Sequence, residues 1–270
     1  MTPARPAPSH RPSRAARWAA LGALLGLSLA VLLWAPARWL AWGVDQASQG
    51  QVRWLDARGT VWQGSAQMAL HGAAGSRDAQ ALPGRLHWHI RPGLTGLRVG
   101  LRADCCMAQD AIAELHAGLS SQQLRISDHV AQWPAALLAG LGAPWNTLQA
   151  EGTLQWRTEQ LQLNWAAGRL QIQGQAELQA QAMSSRLSTL KPMGSYRIQL
   201  RGTPTGTATP DVQLTTLQGP LLITGQGQWV GQRLRFTGEA SAESGSEAAL
   251  SNLLNIMGRR QGTRSLLSLG

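Results

Sequence analysis

The chain has 270 residues, of which 44% are hydrophobic and only 14% charged. That excludes disorder over its whole length and suffices for one ordinary domain or two small ones. The formal net charge is +10, from 24 basic and 14 acidic residues. Four arginines (Arg5, Arg11, Arg14, Arg17) crowd the first 17 positions, which leaves 24 − 4 = 20 bases against 14 acids, or +6, for the rest. Lys191 is the one lysine, and an Arg-, Ala- and Gly-heavy chain of this kind carries its high pI through composition, not as a mark of nucleic-acid binding. Two adjacent cysteines argue against a disulfide scaffold, and the lack of clustered Cys/His spacing excludes a zinc ribbon or finger.

Residues 1–17 read as a basic tail rich in Pro, Ala and Arg. From Trp18 to Ala37 there is no charge over 20 residues. A helix of that length rises about 30 Å, the thickness of a bilayer's hydrocarbon core. Trp18 and Trp34 stand near its ends, where indole rings prefer the interface. The expectation is a single transmembrane anchor over 18–37, with the arginine-rich N-terminus in the cytoplasm and the remainder exported. A cleaved signal peptide is the alternative, since Ala35-Pro36-Ala37 resembles a cleavage site. The apolar run is longer than a usual signal core, and a proline before the cut is awkward. A buried core helix fits less well, because the segment is apolar all round.

Beyond Gly43 the pattern becomes strict alternation, and residues 43–270 read as one exported, β-rich domain. Leu86, Trp88 and Ile90 alternate with Arg85, His87, His89 and Arg91. Leu97, Val99, Leu101 and Ala103 alternate with Arg98, Gly100, Arg102 and Asp104. The longest run, Arg169–Ala180, interleaves Leu170, Ile172, Ala176 and Leu178 with Gln and Glu; Tyr196–Leu200 and Leu234–Ala240 repeat the pattern. Period two means strands with one buried and one wet face, the pattern of antiparallel sheet. Gly and Pro recur between the runs, as at Pro83-Gly84, Pro92-Gly93, Gly168, Gly202, Gly219-Pro220 and Gly231, which suits a meander of hairpins. A faint echo of Gly, apolar, then Trp recurs at Trp62, Trp88, Trp156 and Trp229, which reads as glycines opening strands and tryptophans filling the core.

The fold class expected is therefore mainly β: a membrane helix followed by a long, curved antiparallel sheet with two or three short helices. The helices are placed at Trp133–Leu138, where Pro134 suits a first turn, and at Ser246–Met257, where Leu250, Leu253, Leu254 and Met257 recur at helical spacing before Gly258. Ala111–Ala117 is a weaker third. Residues 71–81 and 202–210 read as loops.

Catalytic motifs are missing. There is no G-x-S-x-G elbow, P-loop, dinucleotide fingerprint or H-E-x-x-H. His87 and His89 share a strand face with Arg85 and Arg91, which repel a cation, so a solvated polar face is the reading there. Glu239, Glu243 and Glu247 recur every four residues but cross from strand to helix and read as a solvated edge and cap. Cys105 and Cys106 fall on an alternating segment, which would point them to opposite faces and disfavour a bond between them; one buried and one exposed thiol is expected, the exposed one free to pair between chains. No catalytic, cofactor or metal residue is assigned, and the chain is not expected to be an enzyme.

The ordered features resemble the type II secretion system protein N family. The resemblance is carried by Ala57-Arg58-Gly59-Thr60-Val61-Trp62-Gln63-Gly64, Pro134-Ala135-Ala136-Leu137-Leu138 with Leu141-Gly142-Ala143-Pro144, Leu190-Lys191-Pro192-Met193-Gly194-Ser195-Tyr196, Gly225-Gln226-Gly227-Gln228-Trp229, and Leu250–Arg260. It runs from about residue 15 to the end; Cys105-Cys106 is outside the pattern. It implies an auxiliary, non-catalytic inner-membrane component that supports export of folded proteins across the outer membrane through contacts with other secretion components. The anchor would meet membrane lipid, and nucleic acid is not a partner. A wider likeness to AsmA-like proteins implies an alternative, a lipid-handling groove lined by Leu170, Ile172 and Leu178 if the apolar face stays open. The C-terminal stripe Leu250, Leu253, Leu254 and Met257 is either a lid on the sheet or a docking face for a partner.

Overall fold

A computed structural model describes residues 14–72, 78–118, 121–166, 169–203, 209–230 and 233–269. Two helices come first, α1 (Arg14–Leu33) and α2 (Ala37–Ala47). The first strands are β1 (Val52–Gly59), β2 (Gln63–His71), β3 (Ala79–Ala81), β4 (Leu86–Pro92), β5 (Gly96–Ala103), β6 (Ala111–Ala117), β7 (Ser121–Ile126) and β8 (His129–Pro134). A 3-10 turn (Ala135–Leu141) and the short α3 (Trp145–Leu148) follow. The chain continues through β9 (Glu151–Ala166), β10 (Arg169–Ser184), β11 (Gly194–Arg201), β12 (Asp211–Gln218), β13 (Leu221–Val230) and β14 (Arg233–Ala242). It ends in α4 (Glu247–Met257), β15 (Arg259–Gln261) and β16 (Arg264–Leu269).

The apolar run Trp18–Ala37, expected as one helix, divides in two. Helix α1 stops at Leu33 and α2 opens at Ala37, with extended backbone at Pro36. Proline has no N–H to continue the α1 ladder and biases the residue before it away from helix. Among the described residues no helix is long and apolar enough to cross a membrane.

The strands form one antiparallel sheet in the order β1-β2-β4-β5-β6-β7-β9-β10-β11-β12-β13-β14-β16-β15, with β3 beside β2 and β8 beside β9. Nearly every strand pairs with its sequence neighbour, as a meander of hairpins requires. Strands β7 and β8 pair with successive lengths of β9, Gln162–Ala166 and Thr153–Thr158. Residues 111–117, the weak helix expectation, are strand β6, held between β5 and β7. In the Trp133–Leu138 segment, Trp133 and Pro134 finish β8 and only the part from Ala135 is helical, as a 3-10 turn. The C-terminal helix lies where its leucine spacing put it.

One face of the sheet stays apolar because three bulges correct the alternation. Asp56, Gln160 and Ala182 each have left-handed φ, at 48°, 48° and 49°. At each, the ladder slips by one residue: between Leu55 and Arg58, opposite Gly174, and between Ala180 and Met183. An extra residue on one strand turns the next side chain back to the same face. Inward positions therefore step by three, from Trp54 to Ala57, Thr158 to Leu161, and Ala180 to Met183. Gly174 opposes the Gln160 bulge with φ +77°, and a Cβ there would overlap the Gln160 carbonyl, so no other residue fits comfortably.

The apolar face carries four clusters, three of them under a helix or the 3-10 turn and the middle one packed among strands alone. Ala37 and Leu40 of α2 pack on Ala66, Trp88 and Leu101. Leu137 of the 3-10 turn packs on Leu82, Leu86, Ala103 and Cys106. In the middle, Leu161, Ile172 and Ala176 are packed by Ile126, Trp156, Leu163 and Leu200. At the far end, Leu250, Leu253 and Leu254 of α4 pack on Tyr196, Leu221, Ile223 and Ala240.

Ile172 is 4% exposed and Gln173, its neighbour, faces the other side. Ile172→Asp should cost about 3 kcal/mol or more, since it buries an unpaired charge. Gln173→Asp should stay within about half a kcal/mol. Thermal melts of the two variants check this; equal shifts would mean the faces are misassigned.

Candidate functional site

Three places gather chemistry: the joint between α1 and the sheet, a polar cleft beside it, and the C-terminal helix. At the joint, the Trp62 indole N–H donates to the Leu32 carbonyl at 2.8 Å. The Val61 amide donates to the Ala35 carbonyl at 2.8 Å, and Pro36 forms a bridge with Thr60. Below it, the Trp88 indole N–H donates to the Val61 carbonyl at 3.0 Å, and its ring lies 4.9 Å from that of Trp54. Gly59, with φ +92°, and Gly64 let the two strands of this turn touch, because a Cβ at Gly59 would meet the Gln63 carbonyl and one at Gly64 the Arg58 carbonyl. The Arg58–Gly64 turn thus fastens the end of an apolar helix to the sheet.

The neighbouring cleft holds about 610 Å³ and is lined by Arg58, Gln63, His87, His89, Arg102, Asp104 and Asp110. Its acids already have partners. Asp104 Oδ2 lies 3.1 Å from His87 Nε2, which holds its carboxyl below the usual range. Asp56, on its bulge, is held low by Arg58 and Arg85, at 2.8 and 2.9 Å. His89 Nδ1 is 3.9 Å from Asp110. The two histidines therefore lie on the wet face, each beside a carboxylate. Among the described residues no cluster of three or more His, Cys, Asp or Glu could hold a metal ion.

One cysteine is exposed and one buried, as expected, but they are not the free thiols expected. Cys105 and Cys106 are joined by a disulfide. Strand β5 ends at Ala103, and residues 104–106 form a turn in which the Cys106 and Met107 amides both donate to the Ala103 carbonyl. In a turn, adjacent side chains are not thrown to opposite faces. Cys106 is buried against Leu82 and Leu137, and Cys105 is exposed.

On α4, Leu250, Leu253 and Leu254 are 0%, 3% and 0% exposed, and Met257 packs on the same cluster. The stripe is a lid, which corrects the docking-face alternative. Beneath it the Tyr196 hydroxyl donates to the Leu221 carbonyl, and burial pushes its phenol well above the usual range. The Ser265 hydroxyl donates to the Leu254 carbonyl at 2.5 Å and ties the helix to β16. Of the three glutamates read as edge and cap, Glu239 pairs with Arg264 at 3.3 Å and Glu247 accepts from the Gly245 amide at 2.8 Å, while Glu243 donates its amide to the Pro220 carbonyl. In the possible groove, Ile172 is buried, whereas Leu170 is 39% exposed at the hairpin end. Glu177 is pushed up by burial, but hydrogen bonds from Gln179 and Gln199 and the charges of Arg197 and Arg157 outweigh that and leave it below the usual range.

The family model described as type II secretion system (T2SS), protein N, matches residues 31–266. The chain belongs to this family. No curated protein and no solved structure matches it.

In this chain, the stretches that carried the resemblance fall where cover meets sheet. Ala57–Gly64 is the helix joint. Leu137 plugs the cluster under the 3-10 turn, and Met193 and Tyr196 floor the α4 pocket. Gly225 makes room in β13 for the Phe236 ring, which a Cβ there would strike. Sequence reasoning missed the bulge residues and Trp62's role, because neither a bulge nor an indole hydrogen bond leaves a periodic trace.

Two predictions follow from these packings. Leu253→Asp should lower the melting temperature sharply and reduce abundance, whereas Ile256→Asp, at a position 53% exposed on the same helix, should leave both near wild type; comparable losses would contradict the lid. His129 is 8% exposed and its Nε2 has no hydrogen-bond partner. Burial holds it below its usual range, with the charge of Asp110 pulling the other way. A histidine kept neutral by folding binds its proton more readily in the unfolded chain. Its contribution is complete above about pH 6.5 and is lost as the pH falls toward the lower folded value. Melts from pH 7 to 5 should show that loss, and His129→Leu should reduce it; an unchanged profile in the variant would contradict the assignment.

Proposed function

We propose that this protein is a non-catalytic, single-pass inner-membrane subunit of type II secretion, with residues 1–17 cytoplasmic and the sheet in the periplasm. In this reading it supports export of folded proteins across the outer membrane by contacts with other secretion components. The observation that carries it is the family match over residues 31–266. The anchoring part draws on α1, whose side chains from Trp18 to Trp34 are almost all exposed and apolar, and on the arginines that precede it. The sheet supplies a rigid platform whose outermost strands, β1 and β15, offer edges for strand addition by a partner.

Removing the gene, then restoring the full chain, tests the function. Proteins normally released should accumulate in the periplasm and be released again on restoration. An unchanged set of exported proteins, with altered envelope lipid instead, would contradict the proposal. Sequencing of the mature N-terminus tests the anchor: it should begin ahead of Trp18, and a start at Arg38 would show cleavage.

A further inference from the structure

Helix α2 has two unlike sides. Ala37, 1% exposed, and Leu40 pack on Ala66 and Trp88 of the sheet. Opposite them, Trp39 is 51% and Trp42 67% exposed. Residues three apart are neighbours on a helix surface, so the two indoles form one patch. Two bare tryptophans on a short surface helix are costly in water, and the sheet gives them nothing to pack against.

The helix's position says what meets them. Three residues separate it from the end of α1, and Trp34 among them is 72% exposed. The Trp62–Leu32, Val61–Ala35 and Pro36–Thr60 contacts hold the end of α1 to the sheet, so α2 stays beside the end of the apolar helix. Its charges suit a lipid surface. Arg38 is exposed, and the one acid on the helix, Asp45, is engaged by Arg53 at 3.2 Å. Tryptophan flanked by arginine on an amphipathic helix is the composition of an interfacial element, which sinks about 5–10 Å into the boundary of headgroups and acyl chains.

We propose that α2 is a membrane-surface helix, with Trp39 and Trp42 inserted among the headgroups on the side of the bilayer facing the sheet. This rests on the anchor reading of α1 and goes beyond it. A single spanning helix leaves a domain free to swing, whereas a second, in-plane contact joined through a fixed turn sets the tilt of the sheet against the membrane. The long sheet then leaves the bilayer in one direction.

The test uses the full chain in vesicles of phosphatidylethanolamine and phosphatidylglycerol. An environment-sensitive fluorophore is attached under non-reducing conditions in separate Trp39→Cys, Trp42→Cys, Leu25→Cys and Gln173→Cys variants, the native cysteines being bonded to each other. Quenching is read with lipids carrying nitroxides at shallow and deep acyl positions. Labels at 39 and 42 should be blue-shifted and quenched most by the shallow probe, the label at 25 most by the deep probe, and the label at 173 by neither. Quenching at 25 without quenching at 39 and 42 would overturn the surface helix and leave the anchor standing. Shallow quenching at 39 and 42 without any at 25 would support the surface helix and overturn the anchor. No quenching at any of these positions would overturn both.

Discussion

Every strand of this sheet must turn the same face inward, and that phase is the constraint on which the rest depends. A meander has no second sheet to close its core, so a lost phase at one strand would expose apolar side chains along all that follow. Strands β9 and β10 are 16 residues each, long enough for twist to carry them out of register with the curved surface. The bulges at Asp56, Gln160 and Ala182 bend the strands and restore the phase together. The chain fixes each one with polar partners: Asp56 by Arg58 and Arg85, the Gln160 amide by Asp128, and the Ala182 amide by the Ser195 hydroxyl.

With the phase held, short covers suffice. Helix α2, the 3-10 turn and α4 each need only a few buried side chains because the sheet presents a matched strip to each. The covers at the two ends differ in consequence. Helix α4 closes the core over Tyr196 and is tied down by Ser265. Helix α2 closes the core with one side only, and through the Trp62 turn it couples the sheet to the apolar α1. Each hydrogen bond at that joint contributes about 1 kcal/mol, but together they fix a direction that a flexible linker would leave open.

Much of this was legible in the sequence. Alternation at Arg85–Arg91, Leu97–Ala103 and Arg169–Ala180 set out β4, β5 and β10, and the spacing of Leu250, Leu253 and Leu254 set out α4. What escaped notice came from places where local pattern and tertiary demand part. The bulges break the period they preserve in space, so counting by twos across Thr158–Leu161 puts Gln160 inside. Trp18–Ala37 read as one apolar segment because hydropathy ignores the break that Pro36 makes. Cys105 and Cys106 were assigned to a strand that had already ended at Ala103. His87 and His89 lie on the face opposite Leu86 and Trp88, as the alternation placed them, but their neighbours there are Asp104 and Asp110, which a local reading of Arg85–Arg91 did not include.

The phase of the sheet is tested most directly by thiol labelling of single-cysteine positions across the β9 bulge. Cysteine is placed in turn at Thr158, Glu159, Gln160, Leu161 and Gln162 of the full chain, and the rate of modification is measured without reductant. The account predicts slow reaction at 158 and 161 and fast reaction at 159, 160 and 162, a step of three between protected positions. Protection at 158, 160 and 162 with rapid labelling at 161 would contradict it, because the alternation would then run through Gln160 unbroken.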